Sequence, residues 1–308
     1  MKPLKAKSTI AELIRTHFNE FKPAERKIAN HLLSDYPMAG IVSITELSEN
    51  SKVSTPTIMR TLNRIGFTSF ISFQKALKQE LSETLADPIA KHGQWARGAP
   101  KEHILNQVAD KVVANLHHTV NQLSHESFNK VVDLLSDTKR KIHLVGGRIT
   151  HTFADYLCTH LEVIRQGVRM LPLSPSLWPH RLIDMDRNDV LVIFDVRRYE
   201  ADTLRLAETA HGKGVVLVLF TDQWLSPIAS YAKYSFPVRI EAPSGWDSGV
   251  ATLFIVESLI MAVENKLWRK TSSRIKALEE IFDYTGRFKR QKQGTHGSGD
   301  APDVMGDI

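Results

Sequence analysis

The sequence predicts two domains: an all-α helix-turn-helix bundle, then an α/β unit with a doubly wound parallel sheet. Three observations predict this. The chain has 308 residues, room for about two cores at roughly 150 residues each. Residues 10–85 repeat apolar side chains at helical spacing with no period-2 alternation. From residue 141 onward, short β-branched runs alternate with amphipathic helical stretches, the pattern of parallel strands covered on both faces.

In the first domain, residues 24–33 place Ile28, Leu32 and Leu33 on one stripe, with Pro23 suited to a first turn. Residues 43–51 carry Ile44 and Leu47 on one face. Residues 55–65 repeat Ile58, Leu62 and Ile65, and Gly66 stands where a helix C-cap is expected. Residues 69–85 repeat Phe70, Phe73, Leu77 and Leu81. Two prolines and two glycines in residues 87–100 predict a linker. A helical pattern resumes over 101–136 through Ile104, Val108, Val112, Leu116, Val120 and Leu123. Strands are expected at 141–145, 168–171, 189–194, 215–220 and 234–238, and helices at 152–165, 178–185, 201–211 and 226–232. A last helix over 248–266 completes the unit, and the tail after Arg287 is expected to be disordered. The domain bounds are therefore 1–86, a linker and connecting helix over 87–126, 127–268, and a helix end and tail over 269–308.

Composition excludes several classes. Apolar residues are 42% and charged residues 24% of the chain, which argues against wholesale disorder. The longest apolar runs, 190–194 and 215–220, fall far below the roughly 20 residues of a membrane-spanning helix. No apolar stretch follows the basic residues 1–8, so no signal peptide is expected. The lone cysteine, Cys158, makes no internal disulfide and fits a reducing cytoplasm. Net charge is +6. Residues 1–86 hold twelve Lys and Arg against eight Asp and Glu, so the first domain carries most of the excess.

Residues 45–65 have the shape of a DNA-reading helix-turn-helix. A turn runs through Ser51-Lys52-Val53, Val53 fills the angle between two helices, and Ser54 stands at the N-cap of the second. That helix offers Ser54, Thr55, Thr57, Arg60, Thr61 and Arg64 for phosphate and base-edge contacts in a major groove. A helical bundle with a merely solvated basic face is the plainer alternative.

Three segments carry more. Phe21-Lys22-Pro23-Ala24-Glu25-Arg26-Lys27-Ile28-Ala29, Ser43-Ile44-Thr45-Glu46-Leu47 and Val53-Ser54-Thr55-Pro56-Thr57-Ile58-Met59-Arg60 resemble the helix-turn-helix domain of the RpiR/MurR family of bacterial transcriptional regulators. The run from Ile65 to Lys75 resembles that domain's last helix. The resemblance implies that residues 55–65 are the recognition helix and that double-stranded operator DNA is the partner. It also implies that the second domain is a SIS domain, the α/β unit with which such proteins bind phosphosugars. Residues 127–268 look like one, from the strand entering Gly146-Gly147 to Thr221-Asp222 followed by Ser226-Pro227-Ile228-Ala229.

Ligands of open α/β sheets bind beyond the carboxyl ends of the strands. The first loop there, Gly146-Gly147-Arg148-Ile149-Thr150, is a glycine-rich turn feeding a helix, suited to cradle an anion. Arg148 stands where the family pattern has a glycine, and Thr150 where it has a serine. The second loop departs further. In place of the family's Ser-x-Ser-Gly-x-Thr run stands Asp195-Val196-Arg197-Arg198-Tyr199-Glu200. Arg197 and Arg198 predict a bidentate grip on a sugar phosphate or organic acid. Asp195 neutralising an arginine, with no ligand at all, is the competing reading.

The predicted ligand-binding set is Gly146, Gly147, Arg148, Thr150, Asp195, Arg197 and Arg198. No catalytic residue, metal or cofactor is expected. The adjacent His117 and His118 diverge on a helix, and His151 and His160 lack carboxylate or cysteine partners at ligand spacing. Cys158, Trp178 and Trp246 suit packing. The function expected is a cytoplasmic transcriptional regulator, with repression the commoner outcome in the family. It would act as a homodimer or homotetramer under a small anionic effector. A regulator whose second domain only oligomerises is the alternative, and a sugar-phosphate isomerase a remote one.

Overall fold

A computed structural model describes residues 8–98 and 102–287. The first domain is built from α1 (Ile10–His17), α2 (Pro23–Ser34), α3 (Ile44–Ser51), α4 (Thr55–Arg64) and α5 (Phe70–Leu85). Local capping sets several of these starts. Thr9 accepts the Glu12 amide while Glu12 accepts that of Thr9. Ser43 accepts the Glu46 amide, and Ser69 that of Ser72, each satisfying donors that a helix start leaves unpaired. Ile14, Ile28, Leu47, Ile58, Leu62 and Phe73 are fully buried at the centre.

Residues 87–100 hold a helix where a linker was expected: α6 (Pro88–Ala96), with Asp87 capping the Ala90 amide at 2.8 Å. Pro88 occupies the first turn, where a missing N–H costs nothing. Proline thus starts a helix here instead of breaking one. Next come α7 (Ile104–Gln122) and α8 (His125–Ser136).

The second domain runs β1 (Ile142–Gly146), α9 (His151–Ile164), β2 (Val168–Met170), α10 (Pro179–Leu182), β3 (Val190–Phe194), α11 (Ala201–Gly212), β4 (Val216–Asp222), β5 (Tyr234–Val238) and α12 (Val250–Thr285). The sheet order is β2-β1-β3-β4-β5, all parallel. One face packs Leu144, Val192 and Phe220 against Leu157, Leu161 and Leu259 of α9 and α12. The other packs Leu191, Ile193 and Leu219 against Leu206 and Ala210 of α11. Every residue of β3 is buried, as a strand covered on both faces requires.

Three expected helices differ. Residues 226–232 form a single 3₁₀ turn, Pro227–Ser230. Residues 178–185 yield only the four-residue α10. The last helix continues past 266 to Thr285, because polar positions at its far end interrupt the apolar stripe without breaking helical geometry. The tail from 288 lies outside the described residues.

Strand order reverses direction between β1 and β3. Open sheets of this kind bind ligands at such a switch point, and here the 146–150 and 195–200 loops meet there.

Candidate functional sites: a DNA-reading helix and the carboxyl end of the sheet

The turn between α3 and α4 is locked by the backbone. Lys52 takes a left-handed conformation at φ 53°, the Val53 amide bonds Ser48 O at 3.1 Å, and the Ser48 hydroxyl donates to Val53 O at 2.7 Å. Val53 is buried between the helices. Helix α4 then turns Thr57, Ile58, Thr61 and Leu62 inward and leaves Ser54, Pro56, Arg60, Asn63 and Arg64 exposed, with Thr55 half-buried.

Two predicted contacts are corrected by this packing. Thr61 is fully buried and its hydroxyl donates to Thr57 O at 2.9 Å. Thr57 is buried too, its hydroxyl meeting that of Ser54 at 3.1 Å and accepting from Arg60 Nη2 at 2.8 Å. Both fall on the stripe of Ile58 and Leu62, and that spacing could have placed them inside. The Ser54 hydroxyl meets Thr57 and caps no backbone amide. Arg64 is half-tethered, its Nε donating to the buried Glu25 at 3.1 Å. Asn63, missed from the sequence, shares the exposed face with Arg60 at i+3.

At the sheet end, Gly146 sits so close to the next turn that a Cβ would lie 2.6 Å from the Thr150 and His151 backbone. The Gly147 amide donates to Thr150 Oγ1 at 2.8 Å, and that hydroxyl donates to Phe194 O at 2.8 Å. The Arg148 amide donates to Glu200 Oε1 at 3.1 Å. The same carboxylate lies against Gly147, where a Cβ would come within 2.7 Å of it. Glu200, unremarked in the sequence, thus belongs to this loop. Arg148 and Arg198 are exposed, and neither side chain has a partner among the described residues.

The loop after β3 is organised by acids. Asp222 is fully buried and accepts the Arg197 amide at 2.7 Å, the Tyr199 hydroxyl at 2.8 Å and the Trp224 amide at 2.9 Å. Burial holds its carboxyl above the usual range despite these donors. Asp195, also buried, accepts the Ser226 hydroxyl. Desolvation pushes it up to about 7. Arg197 and Arg198 take φ 28° and φ 59°, the left-handed region that favours glycine. Arg198 stands where the family pattern has that glycine.

Two further predicted ligand residues hold protein groups here. Asp195 bonds Ser226, not an arginine or open solvent. Arg197 already holds protein groups: Nη1 donates to Glu83 O at 2.7 Å, Nε pairs with Asp247 at 3.1 Å, and the guanidinium lies 4.4 Å over the Trp224 ring. Asp247 also pairs with Lys91 of α6 at 2.5 Å. Glu83 belongs to α5, so Arg197 joins the sheet-end loop to the first domain.

That junction is wider than one residue. Arg239, just after β5, is buried and donates through Nε to Glu12 Oε1 of α1 at 2.6 Å, and through Nη1 to Glu241 at 3.0 Å. Leu225, in the loop after β4, is buried within the core of the helical bundle. Sequence separation hid these partners.

Among the described residues, no group of three or more His, Cys, Asp or Glu is placed to hold a metal ion. No helix there is long and apolar enough to cross a membrane. Burial raises the Cys158 thiol to about 12, far from a reactive thiolate.

Fold and site define a class: a helix-turn-helix head bolted to the carboxyl end of the sheet of a doubly wound α/β domain. Two family models match in that order, the helix-turn-helix domain of the rpiR family over residues 8–84 and the SIS domain over residues 134–262. The chain belongs to the RpiR/MurR family of helix-turn-helix transcriptional regulators. An uncharacterized HTH-type transcriptional regulator of Thermotoga maritima is 28% identical over 138 residues, spanning 44% of this chain and 48% of that protein. The chain thus aligns with about half of that relative's length. The sugar isomerase domain of an RpiR transcription factor from Sphaerobacter thermophilus is similar in fold, with TM-score 0.55 and 20% identity over 58% of this chain and 99% of that one. The Vibrio vulnificus NanR protein, solved in complex with ManNAc-6P, covers 89% of this chain and 98% of its own at TM-score 0.52 and 18% identity.

Proposed function

We propose that this chain reads operator DNA through the exposed face of α4 and answers to a small anionic effector at the carboxyl end of its SIS sheet. Ser54, Thr55, Arg60, Asn63 and Arg64 approach the major groove, Arg60 as the base reader and the others largely at phosphates. The effector, a carbohydrate phosphate or a related organic acid, meets the 146–150 loop with Arg148, Thr150 and the exposed Arg198. ManNAc-6P in the NanR complex makes phosphorylated amino sugars the first class to test. Two chains associate through their SIS domains in the cytoplasm and present two heads to an inverted repeat. Effector binding lowers operator affinity, the behaviour of a repressor.

One observation carries the coupling. Arg197 stands in the effector loop yet holds the end of α5 through the Glu83 carbonyl. A ligand that rearranges this loop therefore biases the head, by no more than its differential affinity for the two arrangements. Fluorescence anisotropy with a promoter fragment and a scrambled duplex tests the first half: selective, salt-sensitive binding is expected. The same titration with phosphorylated sugars tests the second, since unchanged affinity with every ligand leaves the SIS domain an oligomerisation scaffold. That second reading is favoured by one fact, the protein groups that Arg197 already holds, Glu83 and Asp247.

A further inference from the structure

We propose that Glu200 is an internal competitor for the anion cradle. Its carboxylate occupies the place of a ligand's phosphate or carboxylate, and an anionic effector binds by displacing it. The inference rests on the reading of the 146–150 loop as the effector site and names what now fills that site.

The contacts are specific. The Gly147 amide is satisfied within the turn by Thr150 Oγ1, whereas the Arg148 amide is not and turns outward to another loop. Glu200 takes that amide from 52 positions away in sequence. The carboxylate also lies against the bare Cα of Gly147, where a side chain would collide with it. Backbone approach without a Cβ is what a glycine-rich turn offers an oxyanion, and here the oxyanion belongs to the chain itself. Glu200 has no other evident duty. It stands at the N-cap of α11, but its side chain makes no capping bond there. It is exposed, so leaving the cradle returns the carboxylate to water at little cost. Once it leaves, an incoming anion finds the Arg148 amide and, on the same two loops, the unpartnered guanidinium groups of Arg148 and Arg198.

Two consequences follow from competition for one seat. Bare anions bind weakly, because the apparent affinity is lowered by the fraction of chains in which the cradle is empty. Displacement also breaks the side-chain tie between the 195–200 loop and the glycine turn, three residues beyond Arg197 and its hold on α5.

Titration calorimetry on the full chain with inorganic phosphate tests this in wild type, Glu200→Ser, Glu200→Gln and Asp202→Asn. Glu200→Ser is expected to bind phosphate about ten-fold or more tightly than wild type. Glu200→Gln, which keeps the shape and an acceptor but loses the charge, is expected to gain less. Asp202→Asn removes the same charge two residues away, from an exposed pair with Arg205, and is expected to leave phosphate affinity as in wild type. No gain in a folded Glu200→Ser chain overturns the proposal, as does an equal gain in Asp202→Asn. Should the Ser variant fail to fold, the Gln variant decides, and no gain there overturns it. Promoter binding, measured in parallel, separates the readings. A chain that ignores promoter DNA yet gains phosphate on Glu200→Ser sinks the regulator and keeps the competitor. A sugar phosphate that releases DNA from wild type, with no gain on Glu200→Ser, does the reverse.

Discussion

Helix α4 and the carboxyl end of the sheet are both rich in charge, and the two regions treat it in opposite ways. On α4 the side chains of Arg60 and Asn63 reach solvent, with only a hydroxyl of the same helix beside Arg60. At the sheet end the acids and the inner arginines already have protein partners, while Arg148 and Arg198 face solvent: Asp222 holds three donors, Arg197 bridges to α5 and Asp247, Glu200 fills the turn, and Arg239 is buried against Glu12. Open charge awaits a partner from outside. Satisfied charge holds the molecule together and yields to a ligand only by exchange. A substitution on α4 should therefore cost binding and not stability, and one in the satisfied network the reverse.

Glu12→Ala should have the largest effect. It leaves the buried Arg239 without its main partner, and breaking a buried pair from one side costs about 3–5 kcal/mol. Denaturant unfolding should show that loss. A loss below about 1 kcal/mol would mean the domains separate readily in solution and Arg239 rehydrates. Arg60→Ala comes next, with promoter affinity falling by about 1–3 kcal/mol and the melting temperature unchanged. Full affinity would remove Arg60 from the interface and break the contrast on its open side.

The pH dependence sharpens the satisfied side. Asp195 is held at about 7 by burial, with the Ser226 hydroxyl opposing. Its folded value lies above its unfolded one, so its stabilising contribution is whole below about 4 and is lost as pH rises through about 7. Glu80, desolvated beside Tyr36 and held at about 7, acts with the same sign. The melting temperature should fall from pH 5 to pH 8, and Asp195→Asn should flatten part of that slope. A slope identical to wild type would show the carboxyl to be solvated. The smallest effect is expected for Arg198→Ala. Stability should move by less than about 0.5 kcal/mol, or rise, since a side chain at φ 59° is strained. Phosphate binding by the Glu200→Ser chain should nonetheless weaken.

Much of the fold was legible because its signals are local. Ile58, Leu62 and Ile65 mark one helix face, and Val53 the angle of a turn. Runs such as 190–194 mark a strand covered on both sides. Where reading failed, a local sign had two meanings. Pro88 starts a helix as readily as it ends one, and 226–232 has helical composition but closes after a single 3₁₀ turn. On α4 the hydroxyls of Thr57 and Thr61 suit DNA by their chemistry, but their spacing puts them on the buried stripe of Ile58.

The glycine turn at 146–147 and the altered loop at 195–200 were also found by sequence, as positions. Their occupants were not. Glu200 reaches Arg148 across 52 residues, Arg197 reaches Glu83 across 114, and Arg239 reaches Glu12 across 227. Periodicity, caps and turn chemistry act within a few residues of themselves, and so the order of elements, the two-domain plan and the reading helix are written in the chain. Which charge answers which depends on distances that only tertiary packing sets, within the sheet domain for Glu200 and between the two domains for Arg197 and Arg239. That packing, and not any motif, decides that the outer face of α4 stays open while the buried charges of the sheet end are answered from within.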